Sequence, residues 1–130
     1  MRDKKIMVAD EEENIAELVK AVLEQEGFKV YYSIEAERCL NILEELTPDL
    51  LLIDMMAPLL LGTNRISGLD IIEKVRTNPK ISHIKIIVLS SVKPSDIGWE
   101  RLRLLNISDY IAKPFDNGYL VDRVKAVLSY

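Results

Sequence analysis

Several residue types are scarce in this chain, and each scarcity excludes a class of protein or site. The 130 residues include one cysteine, Cys39, and one histidine, which leaves no internal disulfide and no zinc site of clustered Cys and His. No apolar run approaches the roughly 18 residues of a membrane span, and residues 1–5 do not read as part of a signal peptide. We therefore expect a soluble cytoplasmic protein in a reducing compartment.

The charge is modest and spread along the chain. Seventeen basic and 21 acidic residues give a net charge of −4, without a basic stripe. Such a balance gives no electrostatic footprint for nucleic acid or an anionic membrane, so we expect neither as a direct partner. With 48% hydrophobic and 29% charged residues, the composition is that of a folded domain. The length suits a single domain over 1–130, with no effector domain.

Short apolar runs alternate with helical stripes along the chain. Ile15, Leu18, Val19, Val22 and Leu23 show the helical spacing, and four further stripes follow. The apolar runs span 6–9, 28–32, 50–53, 84–89 and 110–112. Alternating strands and helices imply right-handed crossovers and a parallel sheet. The sequence predicts an α/β, flavodoxin-like doubly wound fold, with five strands in the order 2-1-3-4-5 and helices on both faces.

Polar side chains stand where four of these strands end. Asp10 and Glu11 follow the first strand, Asp54 the third, Ser90 the fourth and Lys113 the fifth. Parallel strands end at one edge of the sheet, so these groups should converge in one crevice. Each also has a plain structural explanation: the acids as caps or turn residues, the serine as a cap and the lysine as an ion-pair partner. Their coincidence at one edge favours a site.

Three acids, a hydroxyl and an ammonium describe a particular chemistry. Clustered carboxylates raise each other's pKa unless a cation is present, and hard oxygen ligands suit Mg²⁺. A lysine and a hydroxyl opposite that cation would bind a tetrahedral anion. The set predicts phosphoryl transfer onto a carboxylate, with Asp54 as nucleophile, Lys113 neutralising charge and Ser90 donating a hydrogen bond.

The same residues carry a family resemblance. The acid pair Asp10-Glu11, Asp54 within Asp-Met-Met-Ala-Pro, Ser90-Ser91 and the segment 109–115, Asp-Tyr-Ile-Ala-Lys-Pro-Phe, occur in this order along the chain. Together they resemble the CheY-like receiver domain of two-component response regulators, over essentially the whole length. The resemblance implies that a histidine kinase phosphorylates Asp54.

The resemblance also assigns roles to neighbouring residues. It implies that Mg²⁺ is held by Asp10, Glu11, Asp54 and the Met56 backbone carbonyl. Ser90 and Lys113 are implied to bind the phosphoryl group, and Tyr110 to turn inward with them. The Lys113–Pro114 bond is implied to be cis.

The chain departs from the family at two places. Glu11 stands where the family usually has aspartate, which puts the metal geometry in doubt. The stretch from Met55 to Ser67 is predicted to be an irregular loop, with an insertion of about six residues before Gly68. Its three leucines, Leu59, Leu60 and Leu61, could pack beneath the loop or form a partner contact.

The resulting expectation is a phosphorylation-dependent switch. It would signal through the fourth helix, fifth strand and last helix, with Trp99 on the partner surface. The partners would be a histidine kinase or phosphotransfer protein and an unknown downstream protein. The protein itself would be a monomer or a weak phosphorylation-dependent dimer. Enzymatic activity would be limited to slow self-phosphorylation and hydrolysis.

Two other functions remain open on the residues. A pseudo-receiver would keep the fold as a phosphorylation-independent interaction module, as the altered metal site and long loop suggest. A flavin or nucleotide binder of similar fold is disfavoured, because the acids at 10–13 would repel phosphate.

Overall fold

We describe the protein from a computed structural model, which places residues 3–55, 58–93 and 99–129 and, for Trp99, the backbone only. Within these ranges the chain forms seven strands and five helices. The strands are β1 (Lys5–Ala9), β2 (Lys29–Ser33), β3 (Leu50–Asp54), β4 (Pro58–Leu61), β5 (Asn64–Ser67), β6 (Lys85–Ser90) and β7 (Asp109–Ala112). The helices are α1 (Glu13–Glu24), α2 (Ala36–Leu46), α3 (Gly68–Thr77), α4 (Trp99–Leu104) and α5 (Asn117–Val127).

Five strands form one parallel sheet in the order β2-β1-β3-β6-β7. The central strand β3 pairs with β1 on one side and with β6 on the other. Since β6 and β7 are the fourth and fifth strands of this sheet along the chain, the order is 2-1-3-4-5. The predicted doubly wound fold is confirmed.

Both faces of the sheet are buried, which explains the uninterrupted apolar runs in the sequence. In β1, Met7 and Ala9 belong to one core cluster, whereas Ile6 and Val8 belong to the other. Helices α2, α3 and α4 contribute side chains to the first cluster, and α1 and α5 to the second. Between the ends, neither face of β1 or β3 is in contact with solvent, so these strands can stay apolar until they end.

The buried face of α1 is narrower than the apolar stripe in its sequence. Ala16, Val19 and Leu23 are buried, but Leu18 is 44% exposed. One helix face covers only part of the helix circumference, so the outermost residue of a broad apolar stripe is left in solvent. Leu18 therefore belongs to the predicted apolar stripe but not to the core, and its side chain lines a surface cleft described below.

Cys39 lies on the buried face of α2 and packs there as a small core residue. Its side chain is fully buried. Burial in apolar surroundings raises the pKa of the thiol to about 12, so the thiolate needed for reactivity does not form near neutral pH.

The loop predicted over Met55–Ser67 contains a β-hairpin instead. Strands β4 and β5 pair antiparallel, with Leu60 opposite Arg65 and Leu61 opposite Asn64. Gly62, at φ 62°, takes the left-handed conformation in the two-residue turn. The prediction of irregular structure is wrong here because three successive leucines conceal the alternation of a half-buried strand.

The hairpin leucines divide between core and surface. Leu59 is fully buried in the cluster shared with α2, and Leu61 packs against the same cluster. Leu60 points the other way, is 39% exposed and forms an isolated bridge with Glu35. Packing beneath the segment therefore accounts for two of the leucines, and Leu60 alone remains available for a partner contact.

Arg76 joins the ends of three elements. Its guanidinium donates to the carbonyls of Leu105 at 2.7 Å and Asn106 at 3.1 Å, and to those of Ser82 at 2.9 Å and Ile84 at 2.6 Å. These bonds fix the chain after α4 against the end of α3 and the start of β6. Burial lowers the pKa of this arginine.

Candidate functional site

Three of the predicted site residues meet at the carboxyl edge of the sheet. Asp10 follows β1, Asp54 ends β3 and Lys113 follows β7. The Lys113 ammonium donates to Asp10 Oδ2 at 2.6 Å and to Asp54 Oδ2 at 2.9 Å. A single cation therefore lies between two carboxylates that are 103 and 59 residues away in sequence.

The contact of Lys113 with the two carboxylates is largely buried. Asp10 is fully buried, and the Lys113 and Asp54 side chains are 13% and 14% exposed. Desolvation raises the pKa of Asp10, although the ammonium and the Glu12 N–H, which donates at 2.9 Å, oppose that effect. Desolvation alone would lower the pKa of Lys113, but its hydrogen bonds with Asp10 and Asp54 outweigh it, so this pKa is raised. The lysine therefore keeps its charge.

The backbone beside Asp54 is held by close contacts. The Met55 N–H donates to Leu89 O at 3.3 Å, and the Leu69 N–H donates to Met55 O at 2.8 Å. A Cβ added at Gly68 would lie 2.1 Å from the Asp54 carbonyl oxygen and 2.8 Å from Met55 Cα. The start of α3 thus lies directly against the backbone of Asp54, a packing role for Gly68 that the sequence did not reveal.

Ser90 and Tyr110 both bond to the backbone of Val92. The buried Ser90 hydroxyl accepts from the Val92 N–H at 3.0 Å, and the Tyr110 hydroxyl donates to the Val92 carbonyl. The Lys113 N–H donates to Ser90 O at 2.9 Å, which ties the end of β6 to the lysine. The residues predicted to bind phosphoryl and to switch are therefore linked through one peptide segment.

A cleft of about 440 Å³ opens beside the acids. Glu11, Asp54 and Lys113 line its polar side, and Ile15, Leu18, Pro114 and Phe115 are among its apolar lining. The apolar side of this cleft was not predicted from the sequence. The feature of the sequence that could have indicated it is the breadth of the apolar stripe on α1, which is wider than the buried face and leaves Leu18 in solvent.

A family comparison agrees with this geometry. The model of the response regulator receiver domain matches residues 6–125 of the chain. The chain belongs to the receiver-domain family. The phosphate regulon regulator PhoB of Rhizobium meliloti is 34% identical over 126 residues, which are 95% of this chain and 52% of that protein. CpxR of Escherichia coli K12 is 32% identical over 124 residues, 95% of this chain and 49% of that protein.

The receiver chain thus spans about half the length of these curated relatives, both of which are named as transcriptional regulators. Among solved structures, CheY4 of Vibrio cholerae superposes with a TM-score of 0.84 at 17% identity, covering 97% of this chain and 99% of that one. The BeF3-activated DrrB receiver domain gives 0.79 at 26% identity, covering 99% and 100%. The CheY4 likeness concerns the fold alone.

The donor chemistry of this receiver fits Mg²⁺ through two carboxylates. Mg²⁺ is usually held by one or two carboxylates together with water and phosphate oxygens, and Asp10 and Asp54 share one small region. Glu11 is exposed and lines the cleft. Within the described ranges, no group of three or more Asp, Glu, His or Cys could hold a metal ion. Met56 lies outside those ranges, so the fourfold ligand set stays a prediction.

Other predicted features can be located in part. The Lys113–Pro114 peptide bond is cis. Trp99 begins α4, but its side chain lies outside the described structure. No helix in the described part of the chain has the length and apolarity to cross a membrane.

Proposed function

We propose that this receiver domain is a phosphorylation-dependent switch of a two-component system, with Asp54 as phosphoacceptor. The observation that carries the proposal is the Lys113 ammonium, 2.9 Å from Asp54 Oδ2 and 2.6 Å from Asp10 Oδ2. It supplies positive charge beside a partly accessible carboxylate that opens into a cleft. A nucleophile, a cation and a path for the donor are what transfer to a carboxylate requires.

In the proposed reaction, one carboxylate oxygen of Asp54 forms a bond to phosphorus while the donor's bond to phosphorus breaks. The donor leaves with the electron pair of that bond. Lys113 hydrogen-bonds the charged oxygens and holds Asp54 in position. Asp10 and Asp54, with Glu11 beside them, would hold Mg²⁺, which supplies further neutralisation of phosphoryl charge.

The switch would act through Val92. A phosphoryl group on Asp54 offers new acceptor oxygens to Ser90 and Lys113. If the Ser90 hydroxyl turns toward them, it gives up the bond from the Val92 N–H, and the Tyr110 hydroxyl bound to the same residue is released or redirected. Output would then pass through the face formed by α4, β7 and α5.

The proposed switch requires a phosphodonor and a target protein. The donor would be a histidine kinase or a phosphotransfer protein in the cytoplasm, with a downstream protein as the target. The transcriptional roles named for PhoB and CpxR support a regulatory output. Turnover would be confined to slow self-phosphorylation and hydrolysis.

A pseudo-receiver is the second candidate. It is favoured by Glu11, which is exposed and takes no part in the contact of Lys113 with Asp10 and Asp54. Such a module would bind its partner in the same way with or without phosphorylation.

Beryllofluoride with Mg²⁺ separates the two candidates, because it mimics a phosphoryl group on a carboxylate. The switch predicts saturable NMR shift changes at Ser90, Val92, Tyr110 and Lys113. An Asp54→Asn variant should show none. A folded protein whose spectrum does not change with beryllofluoride would establish the pseudo-receiver instead.

A further inference from the structure

Strand β2 forms one edge of the parallel sheet and leaves backbone groups unpaired there. The Lys29 N–H donates to Lys4 O at 3.0 Å, and the Ser33 carbonyl accepts from the Asp10 N–H at 3.3 Å. Backbone groups alternate between the two edges of a strand, so those of Val30 and Tyr32 point away from β1. No described strand pairs with β2 on that side. The edge therefore offers donors and acceptors to another strand.

A groove runs along this edge between α1 and α2. Its volume is about 460 Å³, and its apolar lining is Val30, Tyr31, Tyr32 and Ile42. The tyrosines are half-buried, which leaves part of each ring exposed along the strand. A groove with an aromatic wall beside an open strand edge matches the geometry by which extended peptides bind.

The polar lining of the groove is basic. Lys20, Lys29 and Arg38 stand against one lining acid, Glu24, so the lining side chains carry a net charge of +2. Glu17 lies beside the groove, where it accepts a hydrogen bond from the Tyr32 hydroxyl at 3.2 Å. Lys20 already pairs with Glu24 at 3.1 Å. The side chains of Lys29 and Arg38 are exposed and make no hydrogen bond or ion pair with any described residue. This local charge is opposite to the net charge of −4 on the chain.

From this geometry we propose that the β2 edge binds an extended, acidic peptide segment of a partner protein by strand addition. The partner's backbone pairs with Val30 and Tyr32, and its acidic side chains contact Lys29 and Arg38. A second copy of this chain fits poorly, because pairing β2 with β2 would bring two grooves with a positively charged lining together. The site lies away from Asp54 and requires neither phosphodonor nor Mg²⁺.

The test uses a fluorescein-labelled peptide of alternating Glu and Val, without phosphodonor or Mg²⁺, so its failure would not bear on the proposed switch. Fluorescence anisotropy should show saturable binding that weakens with salt, and a matched peptide of alternating Lys and Val should not bind. Amide hydrogen exchange, followed by NMR, should show added protection at Val30 and Tyr32.

Two charge variants make the test specific to this groove. K29E/R38E should weaken binding about tenfold or more, since it reverses both unpaired cations. K74E/K80E changes the net charge equally at exposed lysines of α3 and the following loop, and should retain the affinity. The proposal is overturned by absence of binding, by equal losses in both variants, or by protection elsewhere than β2.

Discussion

Replacing Lys113 with methionine is expected to destabilise the domain by about 3 kcal/mol when divalent cations are removed. The ammonium is the described cation between Asp10, which is fully buried, and Asp54, which is 14% exposed. Its loss would leave two neighbouring carboxylates without the charge that compensates their burial. Methionine keeps much of the side-chain volume, so the change is mainly one of charge.

Denaturant unfolding in a chelator-containing buffer measures this loss. Lys125→Met is the matched control, because Lys125 pairs with Glu26 at 2.6 Å where the side chains are 37% and 34% exposed. Removing such an exposed pair should change the free energy of unfolding by less than about 1 kcal/mol. Equal effects of the two variants would show that Lys113 does not neutralise a buried acid pair.

Gly68→Ala is expected to cost about 2 to 3 kcal/mol of stability and to disturb Asp54. The added Cβ would lie 2.1 Å from the Asp54 carbonyl oxygen and 2.9 Å from its carbonyl carbon. These are backbone atoms in a buried strand, so they cannot swing aside as the end of a flexible side chain can. Either α3 or the end of β3 must move.

Gly118→Ala provides the comparison for this effect. A Cβ there would approach only Asp116 Oδ2, at 3.1 Å, an oxygen that also accepts the capping bond from the Tyr119 N–H but belongs to an exposed side chain and not to buried backbone. The free energy of unfolding of the Gly118→Ala variant should stay within about 0.5 kcal/mol of that of the parent protein. If Gly68→Ala were as well tolerated, and phosphorylated as fast as the parent, the close packing of α3 on Asp54 would have no importance.

The fold could be predicted because burial on both faces leaves a clear pattern. Strands such as β3 are continuously apolar, and the helices place apolar residues three or four positions apart. The order of the elements can be read from these patterns, and the strand order then follows from a few topological rules. The hairpin escaped prediction because its strands are four residues long and Leu59–Leu61 conceals their alternation.

The part of the site that is formed by residues at strand ends could be predicted from the sequence. Asp10, Asp54 and Lys113 meet because parallel strands end together. The bonds of Ser90 and Tyr110 to Val92 depend on the path of the chain after β6, which no local pattern specifies. The contact of Gly68 with Asp54 depends likewise on how closely α3 approaches β3.

Phosphorylation with acetyl phosphate and Mg²⁺, followed by intact mass measurement and peptide mapping, tests directly whether Asp54 is the phosphoacceptor. We expect one added phosphoryl group, located on Asp54, and no labelling of a folded Asp54→Asn variant. An unlabelled parent protein that is folded by circular dichroism, or a phosphoryl group on another residue, would contradict this assignment.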